Sequence, residues 1–493
     1  LALNNQRFNV EDLKKRFIGI FSLGGHASKA IRRMHRLGII ERFLPEFERS
    51  IRIRSERPTD PYTVGKHSME AVANLDDIRN AGEREALVSP LKDFSDEIAE
   101  SEAPSESEIK SLHDIYLQIA DPGALYFALL MHDFDKPGKN HAITGARKIK
   151  KIAGSLGFNP VQIEEIEFLV KEHLTMINIA RYHPLNDAIV EQFQKSVGSV
   201  DRLNKLYLLT YCDSQANGPH NFSAVDKDNL RRLYELTRER FLGKDDSALY
   251  AAISPERVNQ FLSQMPVTYR MSRGKIDEII FHLRLVETLE TSLGKSVGKT
   301  PVIIEFVDKT GFTELHFCCP DRVGLINQIT GAFYAYDVDV REASIYTKED
   351  TSIALDTFKL VYKPKALREI HPSPLSEELK TEIKRVITEL MNGSTSLDAI
   401  FAHRGVKAPD DLRIFNISVE RARDAFSEIV VVASDRNGFL YLFSGILADL
   451  GLNIEMSKCS TLGGTVTNRF YVTPIECPEK IESEIMERLK PYC

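Results

Sequence analysis

The chain has 493 residues, of which 43% are hydrophobic and 27% charged, and a formal net charge of −7. That is enough chain for roughly two to four domains with real cores. The acidic balance argues against nucleic acid as the main partner, and no apolar run reaches the ~18 residues of a membrane-spanning helix. The six cysteines, Cys212, Cys318, Cys319, Cys459, Cys477 and Cys493, form no CxxC pair. Neither a zinc ribbon nor a disulfide framework is expected, and a reducing cytoplasm fits. Leu1 in place of Met fits a fragment or a processed chain.

Residues 9–48 read as helical, with Ile31, Met34, Leu37 and Ile40 at helical spacing between Ser28 and Leu44. A further helix is expected over 61–80, carrying His67 on the turn after Val64. Residues 93–110 are acidic and Ser-rich, and read as a solvated or mobile insertion with no chemistry assigned. Next comes ALLMHDFDKPGKNH, an apolar run ending in adjacent His132 and Asp133, with Lys136, Pro137-Gly138 and His141 beyond. Pro137-Gly138 is expected to end that helix and to leave the His-Asp pair at its C-terminal end. Helices follow over 143–156, over 160–174 with His173 near its end, over 202–217 with Asp213 on its last turns, and over 226–241.

Strand patterns begin only near residue 300. Val302 to Phe306 and Glu314 to Cys318 read as strands, and CCPDRVGLINQITGAFYAYDVDVREASIYT then reads as loop, helix, strand. IALDTFKLVYK alternates, a helix is expected at about 375–392 and a strand at 412–419. The sum is a β-α-β-β-α-β order, the ferredoxin-like unit. VASDRNGFLYLFSGILADLGLNIEMSKCST repeats it, so that Asp321-Arg322-x-Gly324 aligns with Asp435-Arg436-x-Gly438. The second copy runs out before a clear fourth strand.

His67, His132, Asp133, His141, His173 and Asp213 all fall on or just after helices of one all-α region. Helices can bring such distant positions together. Imidazoles and carboxylates suit borderline or hard divalent metals, and one or two ions held there would lower the pKa of a bound water and offset phosphoryl charge. Lys136 is placed to meet a phosphate as a point charge. Each residue alone also has a plainer reading: a satisfied histidine for His67 or His173, a helix-end cap for Asp213. The order H…HD…H…H…D is harder to obtain by chance. In the repeat, Gly324 and Gly438 permit close backbone approach at a helix start, where amide N–H groups can meet a carboxylate. Ordinary turn chemistry is the alternative there. Asp321, Arg322, Asp435 and Arg436 are further candidates that solvation alone also explains.

The histidine and aspartate order resembles the HD superfamily of metal-dependent phosphohydrolases. TVGKHSMEAV, LLMHDFDKPGKNHAITGA, FLVKEHL and LTYCDSQAN resemble, more narrowly, the HD domain of the bifunctional PII uridylyltransferase/uridylyl-removing enzyme family. SKAIRRMHRLGIIERFLPEF is similar to the segment before that domain, MPVTYRMSRGKIDEIIFHL to the connector after it, and the tandem repeat to its two C-terminal ACT domains. The family's N-terminal nucleotidyltransferase domain is not visible; a truncated piece and a relative that lost it are both open. The resemblance implies a helical linker at 1–50, an HD domain at 51–255, a connector at 256–310 and α+β ACT domains at 311–421 and 425–493. It implies an enzyme that removes UMP from uridylylated PII using Mg or Mn, as one or two ions. Asp133 and Lys136 would act in catalysis, His67, His132, Asp133, His141, His173 and Asp213 as metal ligands. Glutamine would be the effector, at Gly324, Gly438, Asp321, Arg322, Asp435 and Arg436. Two rivals remain: an HD enzyme acting on another nucleotide or cyclic dinucleotide, and a non-catalytic amino-acid-sensing regulator.

Overall fold

The structure is a computed structural model, in which residues 9–22, 24–54, 62–84, 106–136, 138, 140–218, 221–243, 253–266, 269–270, 276–293, 300–322, 324–364, 373–407, 409, 412–420, 427–462, 465–473 and 475–492 are described. The chain forms two compact units, residues 1–180 with 191–242, and residues 181–190 with 243–493. The described part of the first begins with α1 (Val10–Ser22), α2 (Ala27–Arg36), α3 (Ile40–Phe43), α4 (Pro45–Arg52), α5 (Val64–Arg84) and α6 (Glu106–Tyr116). It continues with α7 (Gly123–Met131), α8 (His141–Leu156), α9 (Pro160–Glu172), α10 (Thr175–Tyr182), α11 (Asp187–Val197), α12 (Val200–Ala216) and α13 (Ala224–Leu242).

The nine residues of α7, GALYFALLM, are all buried. A helix apolar all round belongs in the middle of a bundle, and the others pack about it. Asp76 of α5 locks this arrangement. It accepts hydrogen bonds from the N–H groups of Ala27 and Ser28 at the start of α2 and from the Tyr126 hydroxyl of α7. Asn74 of α5 donates to the carbonyl of Cys212 in α12 at 3.0 Å, so α5 and α12 are joined beside Asp213.

Three expectations change in this unit. The helix expected from Ser28 to Leu44 breaks at Gly38, whose φ of 63 is left-handed, and Leu37 is exposed rather than buried. Helix α7 ends at Met131, ahead of Pro137, because a turn begins at once: the Lys136 N–H donates to the Asp133 carbonyl. Pro137 itself lies outside the described residues. The acidic insertion expected at 93–110 lies outside them as far as residue 105, but residues 106–110 form the first turns of α6. Glu108 there accepts a hydrogen bond of 2.8 Å from Tyr211 of α12, whose phenol burial pushes well above its ordinary pKa. Residues 106–110 are therefore part of the packed helical unit. Glu108→Ala leaves the Tyr211 hydroxyl to find a new partner and is expected to cost about 1–3 kcal/mol, read from the urea midpoint at unchanged slope.

The second unit holds α14 (Pro255–Gln264) and α15 (Ile276–Leu293), then β1 (Ile303–Lys309), β2 (Phe312–Pro320), α16 (Leu325–Ala335), β3 (Val338–Lys348), β4 (Ile353–Tyr362), α17 (Glu377–Met391) and α18 (Leu397–Arg404). It ends with β5 (Ile414–Glu420), β6 (Ser427–Ser434), α19 (Phe439–Asp449), β7 (Ile454–Leu462), β8 (Thr465–Val472) and α20 (Pro478–Leu489). The strands make one antiparallel sheet of eight in the order β1-β2-β4-β3-β7-β8-β6-β5. Each half keeps the ferredoxin-like order, but its edge strand arrives first in the chain rather than last.

This corrects the strand assignment. The strand at 412–419 does not close the first repeat; as β5 it pairs with β6 and supplies the edge that the second repeat lacked. The edge of the first half is β1, placed with the connector in the sequence reading. A two-residue hairpin explains the exchange. Lys309 pairs with Phe312 across Thr310-Gly311, and Gly311 takes a φ of 86, so β1 covers the free edge of β2 locally. The connector helices α14 and α15 are likewise part of this unit: Phe261, Ile279 and Val286 pack with Cys318, Tyr346 and Leu355 on one sheet face. Phe358 and Leu360 face the opposite core with Phe333 and Ile387. β4 is thus buried on both faces.

Candidate metal centre

Four helix ends converge in the helical unit. His132 and His173 occupy the C-terminal caps of α7 and α9, His141 opens α8, His67 lies on α5, and Asp213 sits near the end of α12. The last carbonyls of a helix have no intrahelical partner. Here Leu129 O lies 2.8 Å from His132 Nδ1 and Val170 O lies 2.7 Å from His173 Nδ1. Gly138 O lies 3.2 Å from His141 Nδ1. A carbonyl only accepts, so Nδ1 carries a hydrogen in each ring, and Nε2 is the nitrogen left to face a metal.

Those Nε2 atoms meet at Asp133. Its Oδ1 is 3.3 Å from His141 Nε2 and 3.4 Å from His173 Nε2, and its Oδ2 is 3.3 Å from His132 Nε2. On the second side, Asp213 Oδ1 is 2.7 Å from His67 Nε2 and 3.2 Å from His132 Nε2. Two donor groups result, His67 with His132 and Asp133, and Asp133 with His141 and His173. Asp133 belongs to both. The Nε2 atoms of His132, His141 and His173 and Oδ1 of Asp133 are buried without a hydrogen-bond partner among the described residues. Unpartnered buried ligand atoms gathered round one carboxylate are what a divalent cation would satisfy, so this donor set fits the metal that the sequence implied.

Charge at the centre is tightly coupled. Burial would lower the pKa of His132, but the Asp133 and Asp213 carboxylates overcome it and push it up to about 10. Burial would raise Asp133 and Asp213; the histidines overcome that and hold both carboxyls well below their ordinary range. A cation must therefore displace a proton from His132. Metal uptake is expected to weaken about tenfold per pH unit per proton released as pH falls. Titration calorimetry with Mn2+ at two pH values checks this; equal affinity at pH 6 and 8 contradicts it.

Lys136 lies 2.6 Å from Asp133 Oδ2 with about a third of its side chain exposed (36%), at the rim. As placed it neutralises the shared carboxylate. The helical unit thus brings together all six ligand candidates and Lys136. The sequence reading missed Asp76, which a lone aspartate on a helix does not advertise, and did not single out His282. In the sheet unit His282 is buried 3.4 Å from His316, with Tyr269 2.9 Å from its Nδ1.

The effector candidates are not brought to one place. Gly324 and Gly438 are left-handed N-caps of α16 and α19, with φ of 79 and 91. These helices pack antiparallel: Asn327 approaches Gly445, Thr330 approaches Ser444, and Tyr334 approaches Gly438. The Gly438 turn is filled from outside, since an added Cβ would stand 2.5 Å from the Tyr334 ring, whereas no atom of the described residues lies within 4 Å of a Cβ added at Gly324. Arg322 reaches Gln328 and the Leu390 and Met391 carbonyls, and Asp321 accepts from Thr347. Asp435 pairs with Lys363 at 2.7 Å, and Arg436 Nη1 donates to the Asp435 carbonyl.

Residues 93–208 match the HD domain family. The span contains His132, Asp133, His141 and His173, begins after His67 and stops before Asp213. The outer two ligands are joined to the matched four by geometry alone. HD domains bind divalent metals and carry metal-dependent phosphohydrolase activity, in keeping with the two donor groups. No helix among the described residues is long and apolar enough to cross a membrane.

Proposed function

From an HD domain whose central aspartate serves two donor groups, we propose a cytoplasmic phosphodiesterase that removes UMP from uridylylated PII-type signal protein and responds to glutamine through a pair of ACT domains. The observation that carries the hydrolytic part is Asp133, with one oxygen toward His132 and the other toward His141 and His173. One ion would be held by His67, His132, Asp133 and Asp213, and a second by Asp133, His141 and His173; Mg or Mn suits this oxygen and imidazole set. When bound, such ions supply a water of lowered pKa and offset charge on phosphoryl oxygens. The chain's own groups do the rest. The carbonyls of Leu129 and Val170 hold His132 and His173 in the tautomer that presents Nε2. Lys136, freed from Asp133 once that carboxylate has other cations, becomes available for a phosphate oxygen.

The substrate rests on the resemblance of the HD stretches and of the segments flanking them. The regulatory part is supported by the two glycine turns and by the sheet order repeated in both halves. The test is release of UMP from uridylylated PII with Mn2+, beside bis-(p-nitrophenyl) phosphate, with and without glutamine. Hydrolysis of the artificial diester alone retains the phosphodiesterase and removes PII. Metal binding without either activity makes the chain a regulator.

A further inference from the structure

His141 is held differently from the two histidines that share Asp133 with it. His132 and His173 stand at the C-terminal ends of helices, where helix carbonyls meet their Nδ1 atoms at 2.8 and 2.7 Å and their side chains are buried. His141 instead opens α8. Its Nδ1 meets the Gly138 carbonyl of the preceding turn at 3.2 Å, and its side chain keeps 15% exposure. Asn140, the N-cap of α8, makes no side-chain cap bond. The first turn of a helix has no intrahelical partners for its N–H groups, so the start of α8, and His141 with it, has to be fixed from elsewhere.

The turn between α7 and α8 supplies that support through Asp135. Its Oδ2 accepts from the Thr144 hydroxyl at 2.5 Å, and its Oδ1 pairs with Lys148 Nζ. The Thr144 hydroxyl is also 3.2 Å from the Asn140 carbonyl. A hydroxyl has one hydrogen to give, and the nearer, charged acceptor takes it. Thr144 and Lys148 follow His141 at the spacing that puts all three on one face of α8. Backbone contact completes the fit: the Cβ that Gly145 lacks would stand 3.5 Å from Asp135 Cβ and 3.6 Å from the Phe134 ring. A carboxylate beside the start of α8 also suits the positive end of the helix. Both oxygens of Asp135 are turned to α8, and Asp135 belongs to neither donor group.

We propose that Asp135 is a positioning residue for the ion assigned to Asp133, His141 and His173. By clamping α8 to the turn it keeps His141 Nε2 at Asp133 Oδ1, 3.3 Å away, and so sets the affinity of that ion without touching it. The other ion does not depend on α8. Its ligands His67, His132 and Asp213 come from α5, the end of α7 and α12. The inference rests on the two-ion centre proposed above and makes occupancy of its second site hang on one side chain.

Titration calorimetry of the full chain with Mn2+, in the absence of substrate, reads both binding constants, and His141→Ala identifies the one that belongs to the second ion. The urea midpoint of each metal-free variant reads stability. Asp135→Ala should weaken the second ion roughly 10–100-fold, as loss of a group that orients a metal ligand commonly does, and leave the first unchanged. Thr144→Val keeps the shape of the side chain without its hydroxyl and should give a smaller loss at the same site. Thr144→Ser should bind as wild type does. Lys148→Ala should change little, because its side chain is 58% exposed and such pairs are weak. A merely structural clamp would move the urea midpoint and both constants together. Equal losses at the two sites, or two unchanged constants in Asp135→Ala, overturn the assignment and leave the two-ion centre standing. If wild type binds one ion and His141→Ala binds it equally well, the two-ion centre falls and the positioning role falls with it.

Discussion

Replacing Asp133 with Ala is expected to abolish phosphodiester hydrolysis and to leave the protein folded. One side chain supplies an oxygen to each donor group, so its loss opens both at once. His132→Ala touches the first group alone and Asp213→Ala the opposite end of that group. If the carboxylate contributes at least ~4 kcal/mol to transition-state stabilisation through what it holds, the rate falls about a thousand-fold or more. The fold survives because α7 is buried through Leu129, Leu130 and Met131, none of which changes. Metal content separates this from a simple loss of a nucleophile's neighbour: Asp133→Ala should lose all bound Mn2+, whereas His141→Ala should lose one equivalent at most. A variant lacking Asp133 that retains full metal content and turnover would refute the shared-carboxylate arrangement.

The largest expected loss of stability is at Asp76, far from any reacting atom. Its carboxylate is 4% exposed and accepts from two backbone N–H groups and one phenol. Asp76→Ala strands those donors in the core, at about 1–3 kcal/mol for each left unsatisfied. The sum, roughly 3–5 kcal/mol after relaxation, is a large fraction of a typical domain's stability. Asp76→Asn keeps acceptor capacity at one oxygen and should recover part of it. The comparison is made by denaturant midpoints for the helical unit's transition, with metal present. Because Tyr126 stands on α7, ahead of His132, activity should fall in parallel with the folded fraction rather than through a changed metal stoichiometry. An Asp76→Ala protein as stable as wild type would show that α2 is held by its apolar side chains alone.

His132 and Asp133 were legible because they are adjacent and terminate an apolar run, and helix α7 ends within one residue of that pair. His173 and Asp213 were legible as helix-end polar residues, and the repeat as a spaced Asp-Arg-x-Gly. These are local signals: period, caps, turns. The break at Gly38 was missed because apolar spacing continued through Leu37, and a single glycine outweighed it. The insertion at 93–110 reads as one segment because composition is averaged over a window, while Glu108 is fixed by one buried tyrosine, Tyr211.

The sequence by itself determined the kinds of elements and the kinds of donors. It could not determine that His67 and Asp213, 146 positions apart, share a contact of 2.7 Å, since that depends on how α5 and α12 pack. Nor could it show that Asp133 faces two groups, or that β5 crosses to the second half. Strand pairing is settled by which edge is free, and the hairpin at Thr310-Gly311 covers the edge of β2 with its neighbour in the chain. Asp356 of β4 belongs to the same class. Alternation puts it on one face with Ala354 and Phe358, and only the packed sheet, covered on both faces, shows that it is fully enclosed there. Local chemistry is written in residues a few positions apart, and burial and convergence are properties of the packed chain.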